Sequence, residues 1–354
     1  MESASKQVSK ATTSSYEKRF NGLMKRFSKE TGLSMPYSMY EFLRWADQLA
    51  SKLSNATRRQ YRSAIKYCLR EYKINFDEVV PDFLRSDMTR AQVRSYHGKR
   101  TSALKSKFIR PTSLTQLLNY LESSKSKSAW LVRDILIASS YFGLRPIEWM
   151  NATWALESSV QRGLLVKNAK HSNGRSHGDS RTVWMVKAEE DDDALLVGQN
   201  AVKAADRLIQ FFQCLNAHIV DYFTADSTAS ESENAESLQL LQRQEAEVYL
   251  TKARQFLSQL YRTNPTLNKQ AKRNRITLYS ARHQFAANAK KSGLAPEEVA
   301  ALMGHASMET NQESYGRRVS GVPGGFGVVA DQDDVARVLE RSPTDNASMS
   351  DFGR

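Results

Sequence analysis

A chain of 354 residues is long enough for two domains, and its hydrophobic content of 40% is that of a folded protein rather than a disordered scaffold. Its net charge of +13 points to a polyanionic partner, of which nucleic acid is the commonest. Only two cysteines occur, Cys68 and Cys214, without metal-ligand spacing, and neither an 18-residue apolar run nor an apolar signal core is present, which sets aside disulfide scaffolds, membrane spans and secretion. A reduced, cytoplasmic protein is expected, nucleoid-associated if prokaryotic.

Residues 12–85 read as helices. Tyr16, Phe20, Leu23, Met24 and Phe27 form one apolar stripe at helical spacing. Tyr40, Leu43, Ala46 and Leu49, with neighbours Phe42 and Trp45, form a second. A third, Tyr61, Ala64, Ile65, Cys68, Leu69 and Tyr72, follows Ser54-Asn55 as a cap. Its other face carries Arg58, Arg59, Arg62, Lys66 and Arg70, a pattern suited to a row of phosphates. From Thr89 to Pro111 come seven Lys/Arg, Lys99 and Arg100 among them, and no acid; this stretch reads as a basic linker.

The pattern restarts at Ser113. "SAWLVRDILIASSYFG" is an apolar helix closed by Gly143, and "RGLLVKNAKHSNGRSHGDSRTVWMV" reads as strands Leu164–Val166 and Thr182–Val186 around a polar turn. Helices are expected around 199–222 and 236–262, with a mobile loop between them. Further helices begin at Ser280 and at Pro296, where proline takes the first position. "SGVPGGFGVV" breaks regular structure before a last short helix over 331–341. A second acid-free run, Asn264–Lys291, holds seven Lys/Arg, including Lys272, Arg273 and Arg275. Acidic residues collect at 189–193, in 226–236 and after Ala330, so the charge is segregated into a basic face. The plainer alternative is a set of solvated helix exteriors.

No phosphate-binding loop, CxxC pair or HExxH motif occurs, and "EEDDD" is a contiguous run rather than a ligand set. Neither a metal nor any other cofactor is expected. Arg145 stands at the joint after the apolar helix; Arg282 and His283 lie in "LYSARHQFA"; His305 follows Gly304; Tyr315 lies ten residues on in a polar setting. Singly, each has a plain reading: Arg145 pairs with Glu148, His305 caps a helix, Tyr315 packs.

Taken in order, "GLRPIE", a strand lysine, "LYSARHQFA", "LMGHAS" and then Tyr315 resemble the catalytic half of the tyrosine recombinases, the phage-integrase family, over roughly Ser113–Arg318. The resemblance implies a mainly α protein with a small β hairpin or sheet: a helical core-binding domain over 12–106, a catalytic domain over 107–320, and a tail over 321–354 that packs on a neighbouring protomer. It implies that Tyr315 is the nucleophile forming a 3′-phosphotyrosyl bond, that Arg145 and Arg282 clamp the phosphate, and that His305 hydrogen-bonds it. Lys170 becomes the general acid, with Lys167 as the alternative three residues earlier on the opposite strand face; matching V-x-x-x-K favours Lys170. The implied partners are double-stranded DNA, a homotetramer on two DNA sites and accessory DNA-bending proteins, with no membrane.

The sequence departs from the family pattern in two places. Tyr279 stands where a His is usual, three residues before Arg282, and is assigned a supporting role in the site. Tyr315 falls ten rather than nine residues after His305, and one extra residue on a helix turns a side chain by about 100°. Two other activities share these motifs: relaxation of DNA by a type IB topoisomerase, and DNA binding by a protein of this fold without catalysis.

Overall fold

A computed structural model describes residues 10–33, 38–73, 108–156, 162–169, 176–186, 192–223, 228–272, 274–308, 318–322 and 327–341. The chain divides into two compact units, residues 1–104 and 105–354.

The first unit contains α1 (Lys10–Thr31), α2 (Met39–Ser51) and α3 (Asn55–Glu71). The three predicted stripes form its core: Phe20, Leu23, Phe27, Phe42, Leu43, Ile65, Cys68 and Leu69 are buried together. Phe27 meets Phe42 edge-on at 5.8 Å, a geometry that aligns the positive ring edge with the negative face. Ser54 caps α3, its hydroxyl accepting the Thr57 N–H at 3.2 Å. Among the basic residues of α3, Arg59 and Arg70 are exposed, and Arg58, Arg62 and Lys66 half-buried. The remainder of the expected helical region and most of the basic linker lie outside the described residues.

In the second unit, α4 (Pro111–Ser123) and α5 (Ala129–Phe142) precede a short 3-10 turn, Pro146–Asn151. Strands β1 (Thr153–Leu156), β2 (Arg162–Lys167) and β3 (Ser180–Met185) follow, then the long helices α6 (Asp192–Tyr222) and α7 (Glu231–Thr263). The chain continues through α8 (Pro265–Ala271), α9 (Ser280–Lys291), α10 (Pro296–Leu302), a 3-10 turn at Arg318–Ser320, β4 (Val328–Ala330) and α11 (Gln332–Arg341). The architecture is mainly helical with one antiparallel sheet of order β1-β2-β3-β4.

Helix α5 lies in the core, with Leu131, Val132, Ile135, Leu136 and Phe142 buried. Gly143 ends it at φ +74°, and a Cβ there would stand 2.5 Å from the Phe285 ring of α9. Glycine is therefore required twice, for the left-handed turn and for the close approach. The α7 start at Glu231 is earlier than expected. Ser230 and Glu233 form a capping box, with Ser230 Oγ accepting the Glu233 N–H and Glu233 accepting the Ser230 N–H.

The C-terminal segment differs from expectation. Of the tail expected to reach a neighbouring protomer, residues 327–341 are built into this unit: β4 pairs with β3, Trp184 opposite Val329, and Val338 of α11 is fully buried. Part of "SGVPGGFGVV", expected to be irregular, thus supplies the fourth strand. Among the described residues, no helix is long and apolar enough to cross a membrane, and no cluster could hold a metal ion.

Candidate active site

Glu148, in the 3-10 turn after α5, is the centre of a buried charge cluster. Its carboxylate accepts the Arg145 backbone N–H at 2.8 Å and also the Arg145 guanidinium. Arg181 of β3 donates to it at 2.9 Å, and Arg282 of α9 stands 3.5 Å away. Burial alone would raise the carboxyl's pKa, but Arg181, Arg145 and Arg282 outweigh it and hold the group well below the usual range. Glu148 is therefore a fixed anion.

Each arginine is placed by backbone as well as by charge. Arg282 donates to the carbonyls of Gly143 and Met303, tying α9 to the ends of α5 and α10. Arg181 donates from Nε to Leu302 O at 2.8 Å and from a terminal nitrogen to Asn168 Oδ1. Its register opposite Val166 puts it on the same sheet face as that core residue. Arg145 is the least enclosed of the three, 6% exposed against 1% for Arg181 and 0% for Arg282.

His305 completes the group. Met303 ends α10, Gly304 turns at φ +60°, and the His305 N–H bonds back to Ala300 O at 2.9 Å. A Cβ on Gly304 would fall 2.3 Å from Asn168 Oδ1, so the turn fits only as glycine. His305 Nε2 lies 3.2 Å from an Arg282 nitrogen that can only donate, which makes Nε2 the acceptor and leaves the ring proton on Nδ1. Burial, then Arg282, Arg145 and Arg181, push the imidazole well below its ordinary 6.5, against the smaller pull of Glu148. The ring is neutral at neutral pH.

Three guanidinium groups thus face one carboxylate, a surplus of two positive charges among the described residues of the cluster. Buried charge of one sign is costly, and an anion with phosphate geometry relieves it through arginine forks.

No protein-family model matches the sequence, and no curated protein matches it. Solved structures similar to the chain include two recombinases. One is the XerA recombinase, 16% identical, covering 86% of each chain at a TM-score of 0.30. The other is the XerH site-specific recombinase, described as bound to a palindromic difH substrate in a post-cleavage complex; it is 16% identical and covers 85% of this chain and 74% of that one at a TM-score of 0.37. At such scores the functional reading rests on residues and geometry.

Of the residues expected from sequence, Arg145, Arg282 and His305 come together around Glu148. Tyr279 precedes α9 and packs its ring at 5.3 Å against His283. Lys167 ends β2 opposite Ser180, on the face away from Val166 and Arg181. Among the DNA-binding candidates, Lys272 is exposed after α8, whereas Arg275 is committed internally, donating to Ser258 Oγ at 2.9 Å and lying 5.7 Å over Tyr261. Lys99, Arg100, Lys170, Arg273 and Tyr315 lie outside the described residues.

Sequence reasoning missed Arg181 and Asn168 as parts of the site, and saw Glu148 only as a pair for Arg145. A signal for Arg181 was present: it shares strand parity with core-facing Val183, and a charge on that face demands a partner.

Proposed function

We propose that this protein is a tyrosine recombinase, which cuts and rejoins DNA through a 3′-phosphotyrosyl intermediate. The observation that carries the reading is the convergence of Arg145, Arg282 and His305 on one buried, net-positive cluster, in motifs that match the family in order and spacing. A scissile phosphate gains charge in the transition state, and fixed guanidinium groups in a water-poor site stabilise that gain.

The Tyr315 oxygen attacks phosphorus, the phenolic proton is lost to water, and the bond to the 5′-oxygen breaks. Lys170 protonates that oxygen, giving a free 5′-hydroxyl. In the second half, a 5′-hydroxyl gives its proton back to Lys170 and attacks phosphorus, the phosphotyrosyl bond breaks, and the Tyr315 oxygen regains a proton from water. Bond energy is conserved, so no nucleotide triphosphate is consumed. Arg145 and Arg282 hold the non-bridging oxygens, and neutral His305 donates from Nδ1. The net charge of +13 supports duplex DNA as the partner, and exchange between two sites requires a tetramer.

The test is capture of the covalent complex on duplexes nicked near candidate sites, so that the short fragment diffuses away, followed by peptide mapping. A nucleotide on Tyr315 is the expected result. Relaxation of plasmids regardless of sequence, without synapsis, would move the assignment to a topoisomerase. Tight DNA binding without any adduct would make this a non-catalytic DNA-binding protein.

A further inference from the structure

We propose that His177, held by Asp334 of the C-terminal helix, is a positioning residue for His305; the catalytic consequence rests on the recombinase reading. His177 lies between β2 and β3 and is completely buried. Its Nδ1 is 3.2 Å from the His305 carbonyl oxygen, and its Nε2 is 2.9 Å from Asp334 Oδ1, a residue 157 positions away. Both partners are oxygen acceptors, so each ring nitrogen is placed where it can donate.

The charges balance locally. Asp334 is 1% exposed and also accepts the Thr182 N–H at 2.9 Å and Arg337 at 2.7 Å. A carboxylate with this many donors is fixed in place, and through it His177 is fixed too. What remains is the hydrogen bond from Nδ1, and it is aimed at the peptide joining His305 to Ala306.

His305 is thereby held from both ends of its own backbone: its N–H by Ala300 O, its C=O by His177. Fixing both peptide planes fixes the direction of Cβ, which keeps Nε2 against Arg282 and sets the direction in which Nδ1–H points. The β2–β3 hairpin grips the same turn a second time, through Arg181 on Leu302 O and Asn168 against Gly304. The arrangement makes α11 a working part of the site rather than an appendage. Removing Asp334 releases His177, and His177 then releases His305.

The experiment uses the full chain labelled with ¹⁵N-histidine, the His305 ring signals being assigned by their loss in His305→Gln. Wild type is expected to show a single Nδ1–H tautomer for His305. In His177→Gln and Asp334→Asn, those ring signals are expected to move toward averaged tautomers. A control, Asp331→Asn, takes the charge from the 2.9 Å bond that Trp184 donates in the same C-terminal segment without touching His305, and should leave them unchanged. In parallel, adduct formation on nicked DNA should slow by about tenfold in the first two variants, the upper range of a lost hydrogen bond, at unaltered DNA affinity. Unchanged His305 signals in folded His177→Gln and Asp334→Asn overturn the proposal, as does an equal change in Asp331→Asn. If wild type forms no adduct, the recombinase reading falls, and the ring signals still decide the positioning role.

Discussion

Two sets of arginines in this molecule are held in opposite ways. Those of α3 line a face where Arg59 and Arg70 are exposed, and such charges act through a field that salt screens within about 10 Å at 0.1 M. Arg145, Arg181 and Arg282 are at most 6% exposed and are bound to a carboxylate and to named carbonyls. Removal from water makes these three expensive to keep and sensitive to geometry, and on the recombinase reading it suits Arg145 and Arg282 to a single phosphate. On the recombinase reading, the same side chain serves affinity in one unit and bond chemistry in the other.

The contrast breaks most visibly at Tyr315, the proposed nucleophile. Tyr315→Phe is expected to fold and bind DNA like wild type while forming no covalent adduct, whereas Tyr279→Phe retains cleavage. An adduct from Tyr315→Phe would remove the phosphotyrosyl assignment. Next in size is the general acid. Lys170→Ala should slow cleavage by about 10²–10⁴-fold, and a 5′-bridging sulfur, whose thiolate leaves without a proton, should restore the rate. Lys167, on the strand face away from Arg181, should give a milder defect. Equal defects of Lys170→Ala on both substrates would take the role from it.

Stability should separate the two sets as well. Arg181→Ala leaves Glu148 short of a partner and frees Leu302 O and Asn168, so a loss of about 3–5 kcal/mol in urea unfolding is expected. Arg59→Ala, at an exposed position, should fall within about 0.5 kcal/mol of wild type. Similar losses for both would erase the distinction.

A smaller effect comes with pH. His305 titrates in the folded chain well below 6.5, so as pH falls below about 6.5 the unfolded chain takes up a proton that the folded chain refuses. Stability present at pH 7 is therefore lost on acidification, by up to about 1.4 kcal/mol per pH unit for that proton. Glu148, also depressed, joins below about pH 4.5 in the same direction. His305→Gln should flatten the upper part of the curve; an unchanged slope between pH 6.5 and 5 would place the His305 shift in doubt.

Much of this was legible in the sequence, and what was not has a common cause. The stripes of α1–α3, the αL glycine after α5 and the proline start of α10 are local signals, and each element formed as its signal predicts. Strands β1 and β4, of four and three residues, are too short for alternation to show and exist by virtue of their pairing. Asp334 sits in an acid-rich tail that reads as solvated, and only its contact with His177 reveals a buried role. Glu148 was visible as a neighbour of Arg145, but its bond to Arg181, 33 residues away, is a product of the fold.

The smallest effect is also the sharpest test of the division of labour. If α3 meets phosphates only through charge, each arginine that contacts one contributes about 0.9 to the slope of log affinity against log salt. With six or more phosphates engaged, wild type should lose roughly a thousandfold in affinity between 50 and 200 mM salt. Replacing Arg59 and Arg70 together by alanine should lower the slope by about two, weakening all DNA sequences alike, while adduct formation per bound complex stays at the wild-type rate. Arg145→Ala should do the reverse, keeping most of the slope and losing the chemistry. Should the α3 pair change the rate per bound complex, or Arg145→Ala change only the slope, the two sets of arginines would no longer have separate tasks.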